Sequence, residues 1–293
     1  MPIRVRPGHS HVPRLLVTAM TASLFCALTA CATAPESAEP TPDNTALLPG
    51  PEPDSGESAT PAPEDDEDAT DPPDPSLAEA TIAVDPGHNG GNADAPEEIN
   101  QEVDAGPETK PCNTVGTSTD DGYGEHEFTF DLAERVQEEL ESDGATVVLT
   151  REDDTGVGPC INERAGIAND ADADLVVSLH ADGGPSSGRG FHLIAPELLP
   201  DHTEDIAGPS LDLAETVRDA FQAETDMPVA DYVGSAGIDV RDDLGGLNLS
   251  EVPAVFLEAG NMRNTADAEL LTDAEWRAEA AEAIHLGIRN YLD

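Results

Sequence analysis

The stretch TIAVDPGHNGG, residues 81–91, decides the fold, because a short apolar run leads directly into a glycine-rich turn that carries His88. The same arrangement recurs in ADLVVSLHADGG, residues 173–184, where the apolar run leads into His180. Short apolar runs bounded by glycine-rich turns predict buried strands. Open α/β sheets bind ligands at the carboxyl ends of their strands, so we expect both histidines at one edge of a sheet.

A third strand and a helix carry two acidic candidates. In VPAVFLEAGNMRN, residues 252–264, a further apolar run ends at Glu258. The sequence EHEFTFDLAERV, residues 125–136, opens with Glu125, and the four-residue spacing of its apolar side chains predicts a helix over 125–142.

Strands and helices alternate along the rest of the chain. Further strands are predicted over 145–150, 190–195 and 237–240, and further helices over 161–169, 209–225 and 273–292. This alternation predicts a single α/β domain whose central sheet, mostly parallel or mixed, has helices on both faces.

Residues 92–124 form a long polar stretch without periodicity and are predicted to be a loop. Loops of this length are usually functional or disordered. Cys112 in this loop and Cys160 are predicted to form a disulfide, because a cysteine pair in a secreted domain is usually oxidised. Zinc ligation by the pair is a weaker alternative, since neither cysteine has C-x-x-C spacing.

Residues 1–31 predict a targeting segment rather than part of the fold. Three arginines precede residue 15, and residues 15–28 are mostly apolar but too few for an ordinary membrane span. The segment ends in LTAC, which resembles a bacterial lipobox and implies cleavage before Cys31 and lipid attachment to it. The alternative is a plain secretory signal.

The composition of the remaining chain separates a spacer from a domain. Residues 32–79 are rich in Pro, Ala, Thr, Ser and acids without Lys, Arg or aromatic residues, and predict a disordered linker. Residues 80–293 suffice for one domain with a full core. The chain has 61 acidic and 13 basic residues, a net charge of −48, which argues against nucleic acid and anionic lipid headgroups as partners.

The four candidate residues suggest a metal centre. Two histidines and one glutamate are the protein ligands that a catalytic Zn²⁺ takes, with a fourth position open to water. His88 and His180 supply the imidazoles. Glu125 is favoured as the carboxylate because it lies in phase with the apolar face of its helix. His126 and Glu127 are neighbouring alternatives, and helix capping is another role for Glu125.

Glu258 is the candidate acid or base. It follows four apolar residues, so its pKa is expected to be raised, which suits a group that accepts and returns a proton. The alternative is an acid at a strand end that is simply exposed to water.

These motifs resemble the zinc-dependent N-acetylmuramoyl-L-alanine amidases, which are single-zinc peptidoglycan hydrolases, in their secreted actinobacterial form. The resemblance covers residues 80–293. It rests on DPGHNG (85–90), the helix that opens at Glu125, SLHAD (178–182) and EAGNMRN (258–264).

The resemblance implies a complete set of roles. His88, Glu125 and His180 would bind Zn²⁺, and Glu258 would be the catalytic acid and base. The reaction would be hydrolysis of the amide between the lactyl group of N-acetylmuramic acid and L-alanine. Peptidoglycan would be the substrate, and no obligate protein partner is implied. The lipobox-like sequence separately predicts a lipid anchor at Cys31 and a location on the outer face of the cell membrane.

Other interpretations remain open at this point. Arg164 is predicted to orient the substrate, and the alternative is a surface arginine on a helix. His192 and His285 are interpreted as structural or solvent-facing. The loop over 92–124 is longer than the family's usual link and is a candidate flap. Alternative functions are a catalytically silent amidase-fold protein that binds cell-wall peptides, a zinc peptidase or deacetylase, and a structural lipoprotein.

Overall fold

The computed structural model describes residues 77–293 of the chain. The predicted targeting segment, Cys31 and nearly all of the predicted linker lie outside the described residues. Leu77, which was assigned to the linker, is fully buried against the core, so the folded part begins no later than this residue.

A mixed sheet of six strands forms the centre of the fold. Within residues 77–293 the strands are β1 Thr81–Pro86, β2 Glu102–Asp104, β3 Thr109–Pro111, β4 Thr146–Leu149, β5 Leu175–Asp182, β6 His192–Pro196, β7 Ile238–Arg241 and β8 Ala254–Asn261. The sheet order is β4-β1-β5-β8-β6-β7, and β2 pairs with β3 in a separate antiparallel hairpin. The first four strands of that order run parallel, whereas β6 is antiparallel to β8 and parallel to β7.

The helices of the same region complete the layers. They are α1 Pro96–Ile99, α2 Glu125–Ser142, α3 Ile161–Asp170, α4 Ala207–Glu224, α5 Gly245–Asn248, α6 Thr265–Leu271 and α7 Ala274–Leu292, with a 3-10 helix over Gly90–Asp94. None of the helices between residues 77 and 293 is long and apolar enough to cross a membrane.

The two faces of the sheet are covered unequally. Helices α2, α4 and α7 pack on one face and enclose the main core with alternate residues of the strands, such as Val84 of β1 and Leu179 of β5. On the other face, Ala168 of α3 packs against Ala83, and Leu247 of α5 packs against Ile194. Because side chains alternate along a strand, Asp85, His180 and Glu258 point to this second face.

The predicted fold class is confirmed: one α/β domain with a mixed sheet and helices on both sides. Two strands are longer than predicted. β5 continues through His180 and β8 through Glu258, because these two residues pair in parallel register beyond the apolar runs.

The stretch 92–124 is not simply a loop. It contains α1 and the hairpin β2–β3, which are too short to produce a detectable period in the sequence. The hairpin is fixed at its base by backbone hydrogen bonds, including one from Cys112 N to the Gln101 carbonyl at 2.7 Å.

Candidate metal centre and active site

His88 lies in the turn after β1 and has a left-handed backbone, with φ at 62°. Its Nδ1 is 3.1 Å from both the carbonyl oxygen and the hydroxyl of Thr114. If Nδ1 donates to that carbonyl, Nε2 is left unprotonated and faces the site. A histidine that binds a metal is usually held in this way by its other nitrogen.

Glu125 begins α2, and its carboxylate lies between the two histidines. Oε1 is 3.0 Å from Nε2 of His88 and 3.0 Å from Nδ1 of His180. The backbone N–H of Thr117 donates to Oε2 at 2.9 Å, and that of Ala181 donates to Oε1 at 3.2 Å. These contacts orient the carboxylate toward the centre.

His180, in β5, is held by packing on both sides of its ring. It stacks on Phe256 with 4.7 Å between ring centroids. A Cβ on Gly87 would come within 2.2 Å of the imidazole, so only glycine fits at that position. The ring is therefore fixed with Nδ1 directed at Glu125.

The three side chains form a group that could hold a metal ion. One ligand atom from each of His88, Glu125 and His180 lies within 4.8 Å of the others. Burial acts to raise the pKa of Glu125, but the neighbouring histidines hold it well below its usual range. Burial lowers the pKa of His180. Imidazole nitrogens and a carboxylate oxygen are ligands that Zn²⁺ takes in proteins, so the residues present fit Zn²⁺.

Glu258 stands directly beside this group. It pairs in register with His180 on one side and His192 on the other. Its Oε2 is enclosed and has no hydrogen-bond partner among residues 77–293. Burial, reinforced by the charges of Glu125 and Asp182, raises the pKa of Glu258 well above its usual range. The prediction of a raised pKa is thus confirmed, and the alternative of a fully exposed acid is wrong.

Arg164 on α3 is buried, so the alternative of a surface arginine is wrong. Its Nη1 donates to Asp85 Oδ1 at 2.6 Å and to the Pro86 carbonyl, and its Nη2 donates to the His88 carbonyl at 2.6 Å. Nε and Nη2 also donate to carbonyls of the loop before α3. Nη1 and Nη2 hold the turn that carries His88, and Nε is used on the loop before α3, so all three nitrogens are engaged within the protein. This favours a positioning role for Arg164 over the predicted contact with substrate.

The other residues weighed in the sequence lie elsewhere. His126 turns away to Asp154, with 2.7 Å between Nδ1 and Oδ2, and Glu127 accepts a hydrogen bond from the Gly124 N–H at the helix start. Neither joins the metal group. His285 pairs with Asp143. His192 is buried, as a structural residue would be, although its Nδ1 has no partner within the described chain.

The predicted disulfide between Cys112 and Cys160 is confirmed, with an S–S distance of 2.13 Å. It joins the long segment before α2 to the residue preceding α3. Sequence reasoning missed what this segment supplies, namely Thr114 and Thr117 at the metal ligands. The only signal was the unusual length of the segment.

The four candidate residues line one groove of about 490 Å³. Its floor is the second face of the sheet. Its walls come from the hairpin segment and from the residues around α5. A sheet edge that presents two histidines, a glutamate and a second, half-buried glutamate in one groove has the arrangement of a metal-dependent hydrolase.

Comparison with known proteins identifies the kind of hydrolase. Residues 82–290 match the family described as N-acetylmuramoyl-L-alanine amidase, and the chain belongs to this family. The predicted family and the predicted enzymatic activity are therefore confirmed.

The relatives agree in sequence and in structure. The chain is 43% identical over 219 residues to the N-acetylmuramoyl-L-alanine amidase Rv3717 of Mycobacterium tuberculosis, covering 74% of this chain and 88% of the relative. It resembles the crystal structure of the amidase Ami1 from Mycobacterium smegmatis, with a TM-score of 0.70, 40% identity, and coverage of 74% of this chain and 98% of that one. The apo form of Ami1 from Mycobacterium abscessus matches with a TM-score of 0.70, 41% identity, and coverage of 74% and 100%.

Proposed function

We propose that this amidase hydrolyses the bond between the lactyl carbonyl of N-acetylmuramic acid and the L-alanine nitrogen of the peptidoglycan stem peptide. We propose further that His88, Glu125 and His180 hold one Zn²⁺ and that Glu258 transfers the proton. The observation that carries this proposal is the position of Glu258, next to the three-residue metal group and in the same groove.

The chain's own residues account for the proton transfers. When bound, Zn²⁺ supplies a Lewis acid that brings the pKa of a water molecule toward about 7. Glu258 accepts a proton from the water as its oxygen attacks the amide carbonyl carbon. It then donates that proton to the alanine nitrogen as the carbon–nitrogen bond breaks. The products are a lactyl carboxylic acid and a free amine, and Glu258 returns to its starting state.

The environment of Glu258 suits both halves of this cycle. Glu258 lines the groove, and its enclosed Oε2 has no partner in the described chain, so no protein group competes for the carboxyl group. Burial raises its pKa, so the carboxyl group can retain the proton between the two steps.

Contacts from three residues support the metal ligands His88 and Glu125. Thr114 fixes the ring orientation of His88, and the Thr117 N–H orients Glu125. Arg164 holds the turn of His88 through its backbone carbonyl. Partners of this kind typically change metal affinity by about 10- to 100-fold when removed.

We also propose that the protein acts outside the cytoplasm on a lipid anchor. A relative from Staphylococcus aureus is named as a probable cell wall amidase, LytH, which supports action on peptidoglycan. The lipobox-like sequence that ends at Cys31 supports an anchor. The linker after it would give the catalytic domain reach from the membrane surface.

Mass spectrometry of purified muropeptides tests the reaction. The protein is stripped with a chelator, then reconstituted with one equivalent of Zn²⁺. Free stem peptides that begin with L-alanine, together with peptide-free glycan, are expected only after reconstitution. Binding of muropeptides without cleavage by the zinc-loaded protein would contradict the proposal and favour the silent, peptide-binding alternative.

A further inference from the structure

The groove has two partly exposed cations on its wall, in a chain that has few basic residues. Lys110 is the only lysine in the sequence, and it lines the groove together with Arg241. The chain carries 61 acidic residues against 13 basic ones.

The two cations come from distant parts of the chain and meet at one aspartate. Lys110 is in β3 of the hairpin, and Arg241 ends β7. Lys110 Nζ lies 3.7 Å from Asp243 Oδ2, and Arg241 Nη2 donates to the same oxygen at 2.9 Å. Asp243 therefore holds the two cationic groups close together.

Both cations keep donors for a ligand. Arg241 uses Nε and Nη2 on Asp243, and no hydrogen bond within residues 77–293 uses its Nη1. Lys110 has a second partner, Glu108, but that side chain is half exposed on the hairpin. The side chains of Lys110 and Arg241 are 32% and 38% exposed, so a substrate in the groove can reach both.

Acidic residues also line the groove. Glu258 and Asp182 lie beside the metal group. A carboxylate of the substrate would be repelled by these acids and attracted to Lys110 and Arg241.

We propose that Lys110 and Arg241 form a subsite that binds a free carboxylate of the substrate's peptide. This inference rests on the proposed function, because it assigns a role within the same groove. Guanidinium and ammonium groups are the side chains that bind carboxylates through charge-assisted hydrogen bonds. The subsite would make the enzyme prefer a peptide whose carboxylate is free over one in which it is amidated.

Three N-acetylmuramoyl tripeptides distinguish which carboxylate is bound. In the first, the carboxylates of the second and third residues are both free. In another substrate, only the carboxylate of the second residue is amidated. In the remaining substrate, only the carboxylate of the third residue is amidated. Steady-state kinetics are measured for the wild type and for Lys110→Gln, Lys110→Arg and Arg241→Gln.

Amidation of the recognised carboxylate is expected to raise the wild-type KM about tenfold with little change in kcat, as for loss of one partly exposed charge-assisted contact. Lys110→Gln and Arg241→Gln are expected to raise KM similarly for the free substrate but not for the amidated one. Lys110→Arg should retain the preference. Arg135→Gln is the matched control, because Arg135 forms a similar two-nitrogen pair with Asp131 away from the groove.

A purely structural role for these residues would lower activity equally on all three substrates, which would overturn the subsite. Calorimetry gives an independent test that needs no turnover, when it uses the tripeptides without the N-acetylmuramoyl group, with their carboxylates either free or amidated. Equal affinity of the wild type for free and amidated tripeptides would overturn the subsite even if hydrolysis is normal. Selective binding without hydrolysis would leave the subsite standing and contradict the proposed function alone.

Discussion

Glu258 combines two properties that seldom occur together in one carboxyl group. It is enclosed enough for burial to raise its pKa, yet its Oε2 is left without a protein partner in the described region. A buried polar atom without a partner is costly to stability. Glu258 nevertheless lines the groove, so its carboxyl group faces the space that a substrate would occupy.

Replacement of this residue gives the first prediction. Glu258→Gln keeps the shape of the side chain but removes the proton carrier, so hydrolysis should fall by roughly 10²–10⁴-fold while bound zinc stays at one per chain. Metal analysis and muropeptide hydrolysis on the same sample check this. The control Glu251→Gln alters an exposed glutamate and should hydrolyse at the wild-type rate. Near-normal turnover by Glu258→Gln would remove the residue from the mechanism.

Asp85 is the anchor of the turn that carries His88. It is bound by Arg164, Ser178 and Thr150 on the face of the sheet that lines the groove. Burial alone would raise the pKa of Asp85, but the charge of Arg164 and the two hydroxyl hydrogen bonds lower it to about 2 from 3.8.

The lowered pKa predicts a specific pH dependence of stability. Asp85 binds protons less readily in the folded than in the unfolded state, so its contribution of about 2 kcal/mol is complete above pH 4 and is lost as the pH falls toward 2. Urea unfolding between pH 3 and 7 should show this decline for the wild type relative to Asp85→Asn. The exposed Asp94→Asn should follow the wild-type curve. A constant difference between wild type and Asp85→Asn down to pH 3 would contradict the assignment.

At the scale of elements, the segment between β3 and α2 packs closely against the metal ligands His88 and Glu125. Gly116 there has φ at +82°, and a Cβ would lie 2.9 Å from Glu125 Oε2 and 3.0 Å from the His88 ring. Gly122 in the same segment has φ at +91° but nothing within 4 Å of its would-be Cβ. Both glycines have a left-handed backbone, but only at Gly116 would an added Cβ contact other residues.

This pair gives a matched prediction. Gly116→Ala and Gly122→Ala should both lose about 1–2 kcal/mol of stability from left-handed strain. Only Gly116→Ala should also weaken zinc binding, by about 10- to 100-fold, because its methyl group displaces two ligands. Competition with a chromogenic chelator measures the affinity. Equal zinc affinity in the two variants would show that the segment does not constrain the centre.

The sequence was most informative where an element has a clear period. Helix α2 has the predicted bounds, 125–142, because four apolar side chains recur at the spacing of its buried face. The ends of β5 and β8 were placed too early, because backbone pairing continues past the last apolar residue. The metal group followed from the residue types at two strand ends and from the apolar phase of the helix that begins at Glu125.

What the sequence could not show depends on contacts between distant residues. The hairpin β2–β3 has no period, and it is fixed by a disulfide and by hydrogen bonds to other loops. Thr114 is ordinary as a sequence position and becomes a support for His88 only in three dimensions. Likewise, nothing in the pattern of α3 reveals that every nitrogen of Arg164 is used internally.

At the scale of the whole molecule, the disulfide joins the groove wall to the helix that braces the metal turn. Cys112 follows β3, and Cys160 immediately precedes α3, which carries Arg164. The closed loop spans 48 residues and includes α2 with Glu125. One covalent bond therefore connects the hairpin side of the groove with α3, whose Arg164 holds the turn of His88.

Removal of this bond should affect stability and the site together. Cys112→Ser/Cys160→Ser is expected to lose about 4 kcal/mol on the chain-entropy estimate for a loop of this size. Zinc affinity should fall as well, because Thr114 and Thr117 lie just beyond Cys112. Urea unfolding and chelator competition report the two effects, and reduction of the wild type should reproduce both. A stable variant with unchanged zinc affinity would contradict this coupling.

The single lysine also has a practical consequence for surface chemistry. Amine-reactive reagents find only Lys110 and the chain's own amino terminus, and Lys110 lies on the groove wall. Attachment of the protein to a sensor or resin through Lys110 would therefore direct its groove toward the support and away from solution.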